Sequence, residues 1–337
     1  TFLYFNSISN KDSSISEFTG FNVIDLENQT TNETVINQTE QNISISSENV
    51  CPGAITESKI LQADLNETNT NACITITNPS ITLDCNYHTI NVGSPAIEVY
   101  SNNNLIKNCI IETQGNAITL KSENSILKNI RIKSTAGANS GMILTSSNNN
   151  IITNITFSET TTDMHALDIQ DSNNNQIKNS VFEGVNSGIL FRGTSKSNVL
   201  DSSKIVNFRY EGIKFYNLNS GGNNIINSVI TSGETGSVGL NNENSNGNII
   251  SNSDVKVTAK NILIAGNGNI TLINSSFDAG RLDSAGANKV LVYENAAITI
   301  VNSTGSTMNG IKINIKRNNI TEQTFVTDAT GRIQLQV

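Results

Sequence analysis

Residues 149–157 read NNIITNITF, and residues 174–182 read NNQIKNSVF. Both follow the pattern Asn-x-(Ile/Leu)-(Ile/Leu)-x-Asn-x-x-(Ile/Phe/Val), and they lie 25 residues apart. The pattern recurs in eight copies, whose second Asn position is taken by Asn108, Asn129, Asn154, Asn179, Ser202, Asn227, Asn252 and Asn274. Self-similarity at a period of roughly 20 to 50 residues is typical of solenoid proteins. We therefore predict a solenoid.

A second element lies in phase with the first and reads Gly/Ala-(Ile/Leu/Met)-x-(Leu/Ile/Val/Phe). It begins at Ala96, Ala117, Gly141, Ala166, Gly188 and Gly212, with a looser copy at Asn261. Apolar residues alternate at period two, which indicates strands. A leucine-rich repeat is disfavoured because its leucine spacing is not met. We predict an all-β, right-handed parallel β-helix of about eight to nine coils, each with three short strands.

Asparagine is unusually frequent, with 55 residues in the chain. Asn tolerates the left-handed backbone conformation that a tight corner requires, and stacked Asn side chains can hydrogen-bond from coil to coil as a ladder. Disorder does not explain the composition, because Ile recurs at fixed intervals. We expect the recurring Asn to mark the turns.

The chain has 337 residues and a formal net charge of −8. An acidic balance argues against a nucleic-acid partner, which needs a basic face. The sequence contains no apolar run of about 18 residues, so it predicts no membrane span. The chain begins at Thr1 rather than Met, which suggests a removed leader or a trimmed longer protein.

Four cysteines occur, all between Cys51 and Cys109. Cys85 and Cys109 are 24 residues apart, about one coil, so stacking would bring them within bridging distance. Cys51 and Cys73 would then close the first segment. Three pairings are compatible with four cysteines, and four buried thiols are the alternative. Disulfides would indicate an oxidising, extracellular setting.

Ten Asn-x-Ser/Thr glycosylation acceptors support the same compartment. They are Asn28, Asn32, Asn37, Asn42, Asn66, Asn154, Asn269, Asn274, Asn302 and Asn319. Many arise by chance in so Asn-rich a chain. The four between Asn28 and Asn42 are close together, and glycans there would keep an exposed segment soluble.

Residues 81–90, which read ITLDCNYHTI, resemble the first full coil of archaeal and bacterial extracellular parallel β-helix repeat proteins, including NosD-like and pectate-lyase-like chains. The preceding Cys51-Pro-Gly and the residues 72–76 (ACITI) resemble the segment that leads into that coil. The resemblance covers residues 51–289 and implies a secreted or cell-surface protein of archaeal character. It says little about activity, because the group includes lyases, hydrolases, adhesins and surface-layer components.

The two ends differ from the repeat. We interpret residues 1–50 as an extended, glycosylated arm, which is either a flexible stalk or a strand donor to a neighbouring subunit. Residues 290–337 resemble a small antiparallel Ig-like or carboxypeptidase-regulatory-like β-sandwich module, with few strands for a closed sandwich. A strand-poor module at one end and a free strand at the other would make a head-to-tail homopolymer.

Stacking the second elements predicts two adjacent rows of outward side chains. One row is Glu98, Thr119, Ile143, Asp168, Leu190 and Lys214, and the other is Tyr100, Lys121, Thr145, Gln170, Arg192 and Tyr216. We therefore expect Asp168, Gln170, Arg192, Lys214 and Tyr216 to share one patch. It is either a saccharide-binding groove or a solvated face with weak ion pairs, and we favour the solvated face. No pair of carboxylates recurs in adjacent coils, so the acid and base of sugar cleavage are not evident.

Two scattered histidines, His88 and His165, and the lack of a Cys-x-x-Cys motif argue against copper and zinc. No cofactor is expected, although calcium held by Asp and backbone carbonyls in a turn stays open. We predict a non-catalytic cell-surface structural protein, such as a subunit of a surface layer or filament. The alternative is a polysaccharide-binding adhesin, or a polysaccharide lyase or hydrolase, that uses the outer face.

Overall fold

A computed structural model describes residues 50–67, 71–93, 95–135, 140–159, 165–217, 219–284, 289–293, 295–299, 306–307, 309–310, 312–317, 320–330 and 332–336. The chain divides into two compact units, residues 36–292 and residues 1–35 together with 293–337. The predicted arm lies outside the described residues, apart from Val50.

The larger unit is a parallel β-solenoid with three sheets, here called sheets 1, 2 and 3. In the described part of the chain, sheet 1 has eleven strands, one from each successive coil. They are Gly53–Ile55, Ile74–Ile76, Ile97–Val99, Ile118–Leu120, Ser140–Thr145, His165–Gln170, Ser187–Arg192, Glu211–Tyr216, Val238–Glu243, Lys260–Ala265 and Leu282–Ser284.

Three long strands bend through both sheet 2 and sheet 3: Leu105–Thr113, Ile126–Ser134 and Ile151–Glu159. The other strands of sheet 2 are Lys59–Ile60, Thr82–Asp84, Gln176–Lys178, Val199–Asp201, Asn224–Ile226, Asn248–Ser251, Asn269–Ile273 and Lys289–Tyr293. The other strands of sheet 3 are Leu65–Glu67, Thr89–Val92, Val181–Glu183, Lys204–Val206, Val229–Ser232, Asp254–Val257 and Ser276–Phe277.

The solenoid is longer than the eight to nine coils expected from the sequence pattern, because both end coils lack its asparagines. At the N-terminal end, Gly53–Ile55 pairs with Ile74–Ile76. At the other end, Leu282–Ser284 pairs with Lys260–Ala265 after a short 3-10 helix over Ala279–Arg281. The terminal coils thus continue the sheet without the repeated turn residues.

The core is a continuous column of buried aliphatic and aromatic side chains between the sheets. Phe191 and Phe215 stack within it at a ring-centroid distance of 5.3 Å. The Gly/Ala that opens each second element lies at a tight inward corner. A Cβ on Gly188 would approach the carbonyl oxygen of Gly212 to 2.3 Å, which explains why small residues occupy this position.

The outer turns carry the predicted asparagines in the left-handed conformation, with φ of 56° at both Asn108 and Asn129 and 55° at Asn154. Their side chains form a ladder: Asn154 Nδ2 donates to Asn129 Oδ1 at 2.8 Å, and Asn129 Nδ2 donates to Asn108 Oδ1 at 3.1 Å. The recurring Asn therefore serves both the backbone conformation and the contact between coils.

A second ladder is buried inside the solenoid, at the position that follows the first Asn of the pattern. Its rungs are Asn104, Ser125, Asn150, Asn175, Asn198, Asn223 and Asn248. Each rung's backbone N–H donates to the side-chain oxygen of the next rung; for Asn150 and Asn175 the distance is 2.9 Å. Backbone polar groups at this corner, shielded from water, are thereby satisfied from within.

Buried serines form two further rows. In one, the N–H of Ser147 donates to Ser172 Oγ at 2.9 Å. In the other, the N–H of Ser203 donates to Ser228 Oγ at 3.2 Å. The buried Asn ladder and the two serine rows together give the corners a regular polar interior beside the apolar core.

The four cysteines form two disulfides at the N-terminal end. Cys51 pairs with Cys73, and Cys85 pairs with Cys109. The Cα atoms of the second pair are 4.8 Å apart, which is the distance between stacked coils. This is the pairing that the spacing in the sequence favours.

In the smaller unit, Asn295–Thr299 pairs antiparallel with Arg332–Gln336. Lys312–Arg317 pairs antiparallel with Ile320–Val326, with a register shift between Ile315 and Lys316. The predicted Ig-like sandwich over 290–337 thus corresponds to two antiparallel pairs in the described residues. The strand Lys289–Tyr293, at the predicted boundary, belongs to sheet 2 of the solenoid.

Candidate functional site on the outer face of sheet 1

The predicted patch lies on the outer face of sheet 1, and the strand register places its members in two columns. Asp168 is aligned with Leu190, which is aligned with Lys214. Gln170 is aligned with Arg192, and Arg192 with Tyr216, in the neighbouring column. The period-two alternation along each strand and the coil spacing therefore bring the five residues together.

A third column flanks these two at the beginning of the strands. His165 is aligned with Ser187, and Ser187 Oγ donates to Glu211 Oε2 of the next coil at 2.9 Å. Glu211 is in turn aligned with Val238. The site thus contains a histidine, a serine and a glutamate in addition to the predicted residues.

Asp168 and Arg192 form a two-pronged ion pair between adjacent coils. Arg192 Nε donates to Asp168 Oδ1 at 2.9 Å, and Arg192 Nη2 donates to Asp168 Oδ2 at 2.6 Å. Asp168 is only 3% exposed, although it points outward, whereas the Arg192 side chain is 40% exposed. The carboxylate is therefore fully engaged, and the guanidinium still reaches solvent.

Lys214 is the centre of a second group of charges. Its Nζ lies 3.0 Å from Glu243 Oε1 and 3.8 Å from Glu211 Oε1. The same Nζ lies 5.4 Å from the centroid of the Tyr216 ring, within the range of a cation–π contact. Asn241 Nδ2 approaches Glu211 Oε1 at 3.4 Å. Two carboxylates from adjacent coils, Glu211 and Glu243, therefore share one lysine.

His165 is largely buried beside these charges. Burial lowers its pKa below the ordinary value; the Asp168 and Glu211 carboxylates oppose this effect, and the Arg192 and Lys214 cations reinforce it. In the described part of the chain, its buried Nδ1 has no hydrogen-bond partner. The imidazole is therefore held neutral near pH 7.

The chemistry of this face is dominated by mutual pairing. Each carboxylate of the group has a cationic or hydroxyl partner within the group. The groups that remain accessible are the Arg192 guanidinium and the Tyr216 ring, which is 48% exposed. A guanidinium and an aromatic face can bind hydroxyl-rich ligands by hydrogen bonds and stacking. Within the described residues, no group of three His, Cys, Asp or Glu side chains could hold a metal ion.

The sequence located Asp168, Gln170, Arg192, Lys214 and Tyr216 in their columns, but it missed the flanking column and the Glu243 carboxylate. The signal for that column is the residue just before each Gly/Ala of the second element, which is His165, Ser187 or Glu211. Counting alternate positions from the apolar residues does not reach it, because the chain turns a corner at the Gly/Ala.

Four of the ten glycosylation acceptors have described side chains. Asn66, Asn154 and Asn274 are exposed, and Asn269 is half-buried. The other six lie outside the described residues: Asn28, Asn32, Asn37, Asn42, Asn302 and Asn319. In the described part of the chain, no helix has the length and apolar character needed to cross a membrane.

Several solved structures resemble this fold at low sequence identity. The surface adhesin PfbA of Streptococcus pneumoniae is 12% identical, with 82% of this chain and 90% of that chain covered and a TM-score of 0.41. A tailspike protein of E. coli bacteriophage HK620 is 10% identical, with 88% and 82% covered and a TM-score of 0.37. The A-module of the Azotobacter vinelandii mannuronan C-5 epimerase AlgE4 is 12% identical, with 74% and 86% covered and a TM-score of 0.32. These similarities concern the fold alone.

No curated protein matches the chain. Residues 53–217, by contrast, match the family described as "Right handed beta helix region". The coils beyond residue 217 continue the same three sheets in the same parallel register. The coils of this chain therefore form a parallel β-solenoid, of which residues 53–217 are similar to that family.

Proposed function

We propose that this protein is a non-catalytic structural protein of an extracellular surface, with the solenoid as a rigid spacer in a surface layer or filament. The observation that carries the proposal is the buried Asn ladder, which joins successive coils from Asn104 to Asn248. A chain whose corners are hydrogen-bonded from within resists bending and local opening. Ten coil steps of about 4.8 Å give a spacer of about 48 Å.

The outer face of sheet 1 supports a structural role. The Asp168 carboxylate is held by Arg192, and Lys214 is held by Glu211 and Glu243. A general acid or base must reach a substrate proton, and these carboxylates are already occupied by neighbouring side chains. The face therefore favours mutual stabilisation of the coils over catalysis.

The two disulfides support an extracellular location. Cys51–Cys73 and Cys85–Cys109 staple the first coils, and such bridges persist in oxidising compartments. Glycans on the acceptor asparagines would be consistent with that compartment.

In this proposal, the protein self-associates through the two ends of the chain. The predicted arm over 1–50 opens with residues 2–5 (FLYF), whose sequence is typical of a strand, and the sequence of 290–337 predicts few strands for a closed sandwich. A strand donated from one copy to the next would complete the module and build a head-to-tail homopolymer.

Negative-stain microscopy and sedimentation velocity of the full chain test this proposal. We expect filaments or ordered lattices that disappear when residues 1–49 are deleted, while the circular dichroism of the solenoid is unchanged. A monodisperse monomer at high protein concentration would contradict the proposal.

A second candidate function is polysaccharide binding, or cleavage, on the outer face of sheet 1. It is favoured by the exposed Tyr216 ring beside the exposed Arg192 guanidinium. Binding of a panel of neutral and acidic polysaccharides to Tyr216→Ala can be compared with binding to Tyr100→Ala. Tyr100 is the matched control, because its ring is exposed in the same column and also has a lysine, Lys121, over it at 5.2 Å. Binding that is lost only in Tyr216→Ala, or release of unsaturated sugars, would favour this function.

A further inference from the structure

At the inward corner of the solenoid, the small residues of the earlier coils are replaced by large polar ones in the last two coils. From coil to coil, the corner position is Ala96, Ala117, Gly141, Ala166, Gly188, Gly212 and Gly239. The register then places Asn261 beneath Gly239 and Arg281 beneath Asn261. The looser copy of the second element is therefore the point at which a column of small residues gives way to two large polar ones.

At the two coils before Asn261, the corner lies close against the backbone of the next coil. A Cβ on Gly212 would approach the carbonyl oxygen of Gly239 to 2.7 Å, and a Cβ on Gly239 would approach that of Asn261 to 2.6 Å. Beyond Asn261, by contrast, a groove of about 480 Å³ opens between the last strands of sheet 3 and the start of sheet 1. It is lined by Ser232, Lys256, Val257, Thr258, Asn261, Ser276, Phe277, Asp278 and Arg281.

Asn261 is the most deeply buried polar residue of this lining. Its side chain is only 1% exposed, and its Oδ1 accepts a hydrogen bond from the N–H of Val257 at 3.0 Å. This bond fixes the orientation of the amide, whose Nδ2 is buried and has no hydrogen-bond partner among the described residues. A buried donor without an acceptor costs stability, so a ligand oxygen that reaches the amide would gain a strong hydrogen bond.

The charged residues of the lining are two cations, Lys256 and Arg281, and one carboxylate, Asp278. Arg281 is paired with Asp278, Nε to Oδ2 at 3.3 Å, and also donates to the carbonyl oxygen of Val257. Lys256 is paired with Asp254 at 2.7 Å. The side chain of Phe277 is half-buried and supplies an aromatic surface. Hydroxyl and amide groups, an aromatic surface and cations that are both held in ion pairs favour a neutral, hydroxyl-rich ligand.

We infer that this groove binds one or two units of a neutral saccharide, with a sugar oxygen accepting from Asn261 Nδ2 and a sugar ring against Phe277. A volume of about 480 Å³ lies within the usual range of small-molecule sites. The site is separate from the outer face of sheet 1, and it would attach a structural solenoid to a surface glycan. The inference does not depend on the proposed assembly.

Saturation-transfer NMR with the full chain tests the inference. The probes are glucose, galactose, mannose, N-acetylglucosamine and their disaccharides, with glucuronate as the anionic comparison. Asn261→Gly restores the small corner residue of the earlier coils and removes the donor. Thr258→Trp fills the groove from an exposed position at its rim. Asn246→Gly is the matched control, because Asn246 is an exposed asparagine outside the groove.

We expect at least one neutral sugar to give a signal that Asn246→Gly keeps. Asn261→Gly and Thr258→Trp should each weaken its binding by about tenfold or more, the equivalent of one strong hydrogen bond. The inference is overturned if no neutral sugar binds the native chain, if only glucuronate binds, or if both groove variants bind as well as the control.

Discussion

Replacing Asn175 with alanine removes one rung of the buried ladder. The Asn175 side chain makes four hydrogen bonds and is fully buried. Its Nδ2 donates to the carbonyl oxygen of Ser147 at 2.8 Å and to Asn198 Oδ1 at 3.0 Å. Its Oδ1 accepts from the backbone N–H of Asn150 at 2.9 Å and from Asn150 Nδ2 at 3.0 Å.

The loss of stability in Asn175→Ala follows from the buried polar groups that are left without partners. The N–H and the side-chain amide of Asn150 and the carbonyl of Ser147 each lose a partner, whereas Asn198 Oδ1 keeps the backbone N–H of residue 175. The Asn150 amide keeps its bond to the carbonyl oxygen of Ser122, so the stranded groups are the N–H of Asn150 and the carbonyl of Ser147, at about 1–3 kcal/mol each. Because water can enter the space left by the amide and satisfy part of this loss, we expect Asn175→Ala to lower the free energy of unfolding by about 3–5 kcal/mol.

Equilibrium urea unfolding followed by far-ultraviolet circular dichroism measures this loss. Asn154→Gly is the matched control, since it removes a rung of the exposed ladder with a single bond to Asn129 and glycine accepts the φ of 55°. We expect the control to lose less than about 1 kcal/mol. Equal losses in the two variants, at unchanged slope with urea, would refute the reasoning about the buried ladder.

Three further predictions concern packing, the ion pair and pH. Gly188→Ala should destabilise the fold by about 1–3 kcal/mol because its Cβ meets backbone, whereas Gly233→Ala, in open space, should not; thermal unfolding compares them. Arg192→Ala should lower the free energy of unfolding by about 2–3 kcal/mol. The loss should exceed that of Asp168→Asn, because Arg192→Ala leaves the buried Asp168 carboxylate without its cation. Similar losses of the two variants in urea unfolding would argue against this reasoning. Burial lowers the pKa of His165, so the unfolded chain binds its proton more strongly and stability falls as the pH drops below about 6.5. His165→Gln should flatten that slope in urea titrations, and an unchanged slope would count against the assignment.

The coil and its outer columns could be predicted because they depend on local rules. Period-two alternation sets which side chains point outward, and the repeat length sets which of them stack, so Asp168 and Lys214 fell in one column and Gln170, Arg192 and Tyr216 in the next. The disulfide between Cys85 and Cys109 follows from the same spacing. These features depend on the period alone.

The buried ladder could not be predicted from the pattern, because its position holds Asn in most coils but Ser at residue 125 and Ile at residue 270. Whether such a residue points inward depends on the exact corner geometry, and the repeat does not specify that geometry. The burial of Asp168 could not be predicted either. Alternation places its side chain on the outer face, but the Arg192 guanidinium binds both of its carboxylate oxygens. The column of His165, Ser187 and Glu211 lies just before the Gly/Ala corner. The period-two alternation of the strand does not continue through that corner, so it does not predict where these side chains point.

Residue-resolved hydrogen exchange tests most directly whether the solenoid is a rod with its corners fixed from within. The backbone amides of Asn150, Asn175 and Asn198 lie in turns, and each donates to a buried side-chain oxygen of the next coil at 2.9–3.0 Å. We predict that they exchange as slowly as the central amides of sheet 1. Exchange at the rate of an exposed turn would contradict the account.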